Sequence, residues 1–402
     1  MGGAAGHMAH LHDNIWMTFG EIKSFLSSVA RADISPIEKV DGQNLFFRYE
    51  NGQIITARNI GDISRGGLSR EEYMAKWENH PAAASFVKGY EVIEAAFNNA
   101  SPDDLNRIFS SSPGKVKYVN CEIMYASSPN LIVYDGNYIA VHNIQEFDIS
   151  TGKAKMLDVN LKESSLLEEL LTLIESEEKR VDNQEWQIFG PQYVALKNIA
   201  DGVELQKVYE RLDNLGYSDN NKLEDYLTEK LEKDYLLQLN LPIQNEQLLI
   251  KRVVQIGNNI PTSELASIKK IKNGLNADQL KAVTGMTSVI KAKKVISKIL
   301  APIARIISDF AIEVLKGLHS FFITDGDKEI MRMRKELSDS INVLQSYSGK
   351  DAEAYGNLLT TQLEKLGPIE NIASTVEGLV FEYPPGSKQL VKLTGAFAMT
   401  NQ

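Results

Sequence analysis

Glu38-Lys39-Val40-Asp41-Gly42-Gln43-Asn44 is the stretch on which the reading of this chain turns. A lysine ahead of an Asp-Gly turn can be an ordinary strand-edge residue, and a lone K-x-D-G arises by chance in many proteins. It becomes chemical only as the neutral amine, because the lone pair is what attacks an electrophile. Neighbours must then lower its pKa. Four strings follow in order: Thr56-Ala57-Arg58, Asn120-Cys121-Glu122-Ile123, Glu377-Gly378-Leu379-Val380 and Leu390-Val391-Lys392-Leu393. They add an arginine, two carboxylates and a second lysine.

Outward from that stretch, Leu45 to Tyr49, the Asn51-Gly52 turn and Ile54 to Ala57 predict a hairpin. Val116 to Ile123 reads as a strand. Leu131 to Tyr134 and Tyr138 to His142, about Asp135-Gly136-Asn137, read as a second hairpin. Ile15 to Ala30 has the spacing of a short helix. From about Leu161 to Leu366 helical spacing takes over, as in Leu166, Leu167, Leu170, Leu171 and Ile174. A long series runs from Ile296 to Leu318, where Pro302 would kink or begin a helix. Asn276 with Gln279 three residues on marks a helix start. Strand character returns at Glu377 to Glu382 and Lys388 to Thr394, either side of Pro384-Pro385-Gly386. The expected class is α+β. A β-rich domain in two parts, 8–155 and 370–402, is interrupted by an α-helical insertion over 156–369. A structureless connection of that length is implausible, so the insertion must fold by itself or against the core.

A chain of 402 residues has room for two or three domains, and its 43% hydrophobic and 24% charged residues are ordinary for a globular protein. No run approaches the roughly 18 apolar residues that a membrane span needs. The most apolar region, Val295 to Phe322, is interrupted by Lys298, Arg305, Asp309, Glu313 and Lys316. Met1 to His7 reads as a cloning remnant ahead of a natural start at Met8, without a signal peptide. The single cysteine, Cys121, excludes an intramolecular disulfide and a multi-thiolate zinc site, which fits a reducing cytosol. A net charge of −10 argues against a uniformly basic coat but leaves room for a local groove. Basic clusters lie at Lys269-Lys270-Lys272 and Lys291-Lys293-Lys294-Lys298.

In their order the five strings resemble motifs I, Ia, III, IV and V of the covalent nucleotidyltransferases, the polynucleotide ligases and mRNA capping enzymes. EKVDGQN is most similar to the RNA ligase 2 pattern E-K-x-x-G-x-N, and the layout resembles ligase-like proteins of tailed phages. The resemblance covers about 8–155 and 370–400. It implies a ligase-type adenylyltransferase domain, ATP-grasp-like, that uses ATP and Mg2+ (or Mn2+) to join 5′-phosphate and 3′-hydroxyl ends of a nucleic acid. Motif I, and the lack of residues after Lys392 for the barrel that follows motif V in DNA ligases, favour RNA over DNA. Related outcomes are a DNA ligase or a capping-type, end-adenylating enzyme; an outcome of another class is a degenerate protein that binds a nucleotide or a partner.

The same resemblance assigns roles. Lys39 is the nucleophile that forms a lysyl-AMP, and Lys392 contacts the α-phosphate. Glu38 holds the adenine edge, while Asp41 and Gly42 shape the turn, with Gly42 expected in a conformation that a side chain would oppose. Asn44 completes the RNA ligase 2 pattern. Arg58 faces the ribose and the incoming strand, and Glu122 accepts from the ribose hydroxyls. Glu377 ligates the divalent ion. Motif V normally offers two lysines; Leu390 stands at the first position and Lys388 is the expected substitute. Tyr138 or Tyr134 would stack on the base, and His142 stands where an aspartate is usual. Two further features are expected to be bland. His10, His12 and Asp13 sit near a chain end that should fray, and Asp62 to Gly67 reads as a mobile loop.

Overall fold

Alternating apolar residues and helical repeats sort the chain into eleven strands and twelve α-helices among the described residues, which in this computed structural model are 8–98, 100–130, 132–158, 165–174, 179–181, 184–200, 203–316, 318, 342–343, 377–387 and 389–394. The strands are β1 (Ala9–His10), β2 (Ile37–Lys39), β3 (Gln43–Glu50), β4 (Gln53–Ala57), β5 (Lys115–Met124), β6 (Asn137–Asp148), β7 (Ala154–Asp158), β8 (Lys179–Val181), β9 (Gln184–Phe189), β10 (Gly378–Glu382) and β11 (Leu390–Thr394). The helices are α1 (Phe19–Ala30), α2 (Ile60–Ser64), α3 (Arg70–Trp77), α4 (Ala83–Asn98), α5 (Pro102–Phe109), α6 (Leu166–Ile174), α7 (Val203–Asp213), α8 (Leu223–Leu231), α9 (Ile243–Gly257), α10 (Ile268–Lys272), α11 (Ala277–Thr287) and α12 (Val289–Leu315). The mixed α and β content is as expected. Among the described residues no helix is long and apolar enough to cross a membrane.

The smaller sheet has the order β1-β11-β10-β2. Its register pairs Lys39 with Gly378, Val380 with Lys392, and Lys392 with His10. Directly paired residues, and residues two apart on a strand, share a face of a sheet. Lys39, Val380, Lys392 and His10 therefore project from one face, and Leu379, Phe381, Val391 and Leu393 from the other. Those four apolar residues are buried in one core with α1 and with α7 to α12. The helical region thus folds against the strands from both ends of the chain.

The larger sheet runs β4-β3-β5-β6-β9-β8, with β7 paired to the far half of β6. One face carries Leu45, Phe47, Val119, Cys121, Ile123 and Val141 into a second core beneath α3 to α6. The other face, which carries Asn44, Glu122 and Ala140 in register, turns toward the lysine face of the smaller sheet.

Four expectations need correction. The range read as a helical insertion contains strands: β9 pairs in parallel with β6, and Trp186 and Ile188 alternate inward from it. Among its described residues, 132–136 form no strand element, so the second hairpin is absent; Leu131 lies outside the described residues. Pro302 does not begin a helix, because α12 runs through it; the proline is exposed, where water can satisfy the carbonyl one turn back. Finally, residues 9–10 do not fray but pair with β11.

Candidate functional site

β2 ends in Lys39, and its Nζ donates to both carboxylate oxygens of Glu377 at 2.6 Å, although 338 residues separate them. The two side chains are 21% and 16% exposed. The register brings the two backbones together, since Glu377 sits just ahead of β10 and immediately precedes Gly378, the strand partner of Lys39. Gly378 must lack a side chain here, because a Cβ would meet the Leu393 carbonyl oxygen at 2.6 Å.

Burial disfavours the Lys39 ammonium, but Glu377, Glu122 and Asp41 outweigh it and hold its pKa above the ordinary lysine range. As it stands, the amine is charged and not nucleophilic. Lys392 is the counterpart: burial and the Lys39 charge hold it below the ordinary range.

Glu122 Oε2 accepts from the Gly42 N–H at 3.0 Å. Burial, countered by Lys39 and reinforced by Glu377 and Asp41, pushes its carboxyl up to about 7. Gly42 shows why a glycine is needed, and the reason differs from the one expected. It is not among the residues with positive φ; instead a Cβ would lie 2.7 Å from the Ile123 carbonyl oxygen.

Asp41 uses both carboxylate oxygens on a neighbouring loop, accepting from Asn130 Nδ2 at 2.5 Å and from the Ile132 N–H at 2.6 Å. Its own N–H donates to the Tyr134 hydroxyl at 3.0 Å. Asp41 is therefore a positioning residue that ties the turn after Lys39 to Asn130, Ile132 and Tyr134. Tyr138, half-buried with its ring 5.9 Å from Phe189, packs with that ring against the cluster of Val40 and Ala140.

Asn44 donates to Asn120 Oδ1 at 2.7 Å and to the Cys121 carbonyl at 3.3 Å, while its own Oδ1 is buried without a hydrogen-bond partner. Arg58 lies with its guanidinium carbon 4.7 Å from the Phe86 ring centre and 5.1 Å from that of Trp77. Its Nη1 is likewise buried and unpartnered, burial lowers its pKa, and Glu122 opposes that shift. An orphaned acceptor and an orphaned donor flanking Glu122 are what a hydroxyl-bearing ligand would satisfy. Arg58 is held at its backbone by buried Asp62, which also accepts from Arg65 and Lys76. The loop read as mobile is thus organised around one carboxylate.

Two assigned residues do not join the cluster. Glu38 is buried but pairs with Leu379, so alternation turns it to the face opposite Lys39. Lys388 lies outside the described residues. One residue joins unexpectedly. The register between β5 and β6 shifts at Asn120/Cys121, so His142 is the extra residue of a bulge, a device that re-aims side chains near active sites. Burial and the Lys39 charge push its imidazole down to about 4, so it is neutral at pH 7. The sequence signal for it was its departure from the aspartate usual in the resembled motif.

Among the described residues no group of three or more His, Cys, Asp or Glu side chains is arranged to hold a metal ion. Glu377 alone still suits Mg2+, which typically takes one or two carboxylates with waters and phosphate oxygens making up the rest.

Glu122 gives a direct test of these electrostatics. A carboxyl whose folded pKa is raised loses its stabilising contribution as pH climbs from its unfolded value, about 4.3, to about 7. Glu122→Gln keeps an acceptor for Gly42 and removes that titration. Chemical denaturation from pH 4 to 8 should show the variant gaining on the wild type as pH rises; parallel curves would place Glu122 in an ordinary solvated setting.

Comparison with protein-family models and with curated proteins finds no match for this chain.

Proposed function

We propose that this protein is an ATP-dependent polynucleotide ligase of the RNA ligase type, built on a ligase-type adenylyltransferase domain with an added helical region. The observation that carries the reading is the meeting of Lys39 and Lys392 on one sheet face from opposite ends of the sequence, with Glu377 ion-paired to Lys39 and Glu122 close enough to act on its charge. Order in sequence alone could be chance. Convergence in space on one lysine is what nucleotidyl transfer needs.

The chemistry follows from the charges. Were Glu377 to hold a divalent cation it would no longer pair with Lys39, and burial, opposed then only by Glu122 and Asp41, would favour the neutral amine more than the ion pair allows. Lys39 attacks the α-phosphorus, the bond to pyrophosphate breaks, and a lysyl-AMP forms. Lys392 stabilises charge on the phosphoryl oxygens. Bound at Glu377, Mg2+ supplies further neutralisation of phosphate charge. Arg58, Asn44 and Glu122 orient the nucleoside. Transfer of AMP to a 5′-phosphate and attack by a 3′-hydroxyl complete the reaction. The need for ATP, with the single cysteine, favours the cytoplasm as the compartment.

Incubation with α-labelled ATP or GTP and Mg2+ or Mn2+, followed by denaturing electrophoresis, tests the reading. A covalent label from ATP is expected. Label from GTP alone would assign a capping-type reaction, and no label from either would leave a binding protein.

A nucleic-acid partner is supported by α12. Lys291, Lys294, Lys298 and Arg305 are exposed at spacings that place them on one helix face, over about 21 Å. Lys298 and Arg305 also line an open cleft of about 420 Å³ with Arg211, Asn214 and Pro302. Replacing Lys291, Lys294 and Lys298 by glutamate should leave self-labelling unchanged and weaken RNA binding, with the salt slope reduced by about one per lost phosphate contact. An unaltered slope would make this a solvated face only.

A further inference from the structure

β1 and the 3-10 turn that follows it, Leu11–Asp13, bring two imidazoles to the strand of Lys392. His10 is the register partner of Lys392, which puts it on the face that carries Lys39. The His12 ring stacks on that of His10, with centroids 5.1 Å apart and planes at 22°, so it lies over the same face. His12 is only 9% exposed. Its Nδ1 is buried with no hydrogen-bond partner among the described residues, and its Nε2 stands 3.8 Å from Asp13 Oδ1, beyond hydrogen-bond range. Asp13 is engaged elsewhere, accepting from the His10 N–H at 2.8 Å. A polar atom shut away from both water and protein asks for an explanation, and a ligand atom is one.

The order across the sheet suggests which ligand atom. Adjacent strands lie about 4.8 Å apart, so Lys392 on β11 is about 10 Å across from the Lys39 strand and the histidines are one strand farther. Phosphoryl transfer places the attacking and departing groups roughly in line. An attack by Lys39 at one edge therefore drives pyrophosphate toward the other edge.

We propose that β1 and its turn form the pyrophosphate end of the nucleotide site, with His12 Nδ1 donating a hydrogen bond to a non-bridging β- or γ-phosphate oxygen beside the Lys392 ammonium. This rests on the nucleotidyl-transfer reading above. Burial, opposed by Asp13, and the Lys392 charge keep the imidazole below its usual pKa, so it binds as a neutral N–H donor. The N–P bond forms at Lys39 as the P–O bond to pyrophosphate breaks, the displaced electron pair leaves on the pyrophosphate oxygen, and the amine releases one proton to solvent. His12 takes no covalent part. Its hydrogen bond serves the forward reaction and its reversal alike.

The test uses the full chain with His12→Ala and His12→Asn, the latter retaining an N–H donor. Two quantities are read: the ATP concentration for half-maximal labelling, and the inorganic pyrophosphate concentration for half-maximal removal of label from the isolated protein–AMP. In His12→Ala both should rise about tenfold, the effect of one lost hydrogen bond to a charged group. His12→Asn should recover most of the loss. A wild type that labels, alongside a His12→Ala that labels and reverses at unchanged concentrations, overturns this proposal and leaves the ligase reading standing. A wild type that never labels sinks the ligase reading instead. Should His12→Ala fail to fold, the unmodified protein decides: inorganic pyrophosphate should shift the His12 ring resonances, and resonances unmoved at saturation refute the contact.

Discussion

Lys39→Ala should take no covalent label from α-labelled ATP, a loss on the order of 10⁴-fold or more, as for other enzymes stripped of their nucleophile. The same variant should also lose stability, which the sequence alone did not suggest. Read as a strand-edge residue, Lys39 would contribute little to the fold. Here it is the ion-pair partner of a Glu377 that is 16% exposed. Removing it strands a carboxylate in a site where burial already works against ionisation. The expected cost is about 1–3 kcal/mol at pH 7, less than for a fully buried pair because water reaches the site. Adding Glu377→Gln to Lys39→Ala should return most of that stability and none of the labelling. Thermal melts and labelling of the two variants therefore separate the structural role of the pair from its chemical one. If Lys39→Ala labels as the wild type does, another nucleophile is at work and the reading fails.

Much of the site was legible because its residues are local to their strands. β3 and β4 alternate cleanly about Asn51-Gly52, and the strings that carry Arg58, Glu122 and Lys392 each lie on or beside a described strand. What stayed hidden depends on partners distant in sequence. β1 has two residues and no periodicity of its own; only pairing with β11 makes it a strand. Glu38 and Lys39 are neighbours in the chain, yet the pleat sends them to opposite faces, so a motif that includes both does not bring both to one site. Gly42 and Gly378 are required by carbonyls of Ile123 and Leu393 that approach from other strands, with no unusual φ at Gly42 to reveal the need. His142 enters through one extra residue in a register, and an alternating pattern read from sequence has no place for it.

Glu377→Gln should lower the rate of adenylation at limiting Mg2+ by a factor on the order of 10², since an amide oxygen is a poor ligand for a hard cation whose charge neutralisation is worth several kcal/mol. Excess Mg2+ or Mn2+ should recover part of it. A second consequence runs the other way. Glu377 is the leading carboxylate holding the Lys39 pKa high, so its removal leaves burial opposed only by Glu122 and Asp41 and lowers that pKa. The attacking form requires deprotonation, and a lower pKa moves the rise of activity with pH to a lower pH. The variant should therefore be slower at saturating pH and metal, yet reach its own half-maximal rate at a more acidic pH than the wild type. Loss of metal affinity alone would leave the pH midpoint where it was, and loss of the ion pair alone would leave the metal dependence unchanged. Glu377 can account for both only if one carboxylate alternates between holding the lysine in its charged form and ligating the cation. Rate profiles against pH at two metal concentrations resolve the two effects. Superimposable profiles for variant and wild type would reduce Glu377 to a residue that anchors the start of β10.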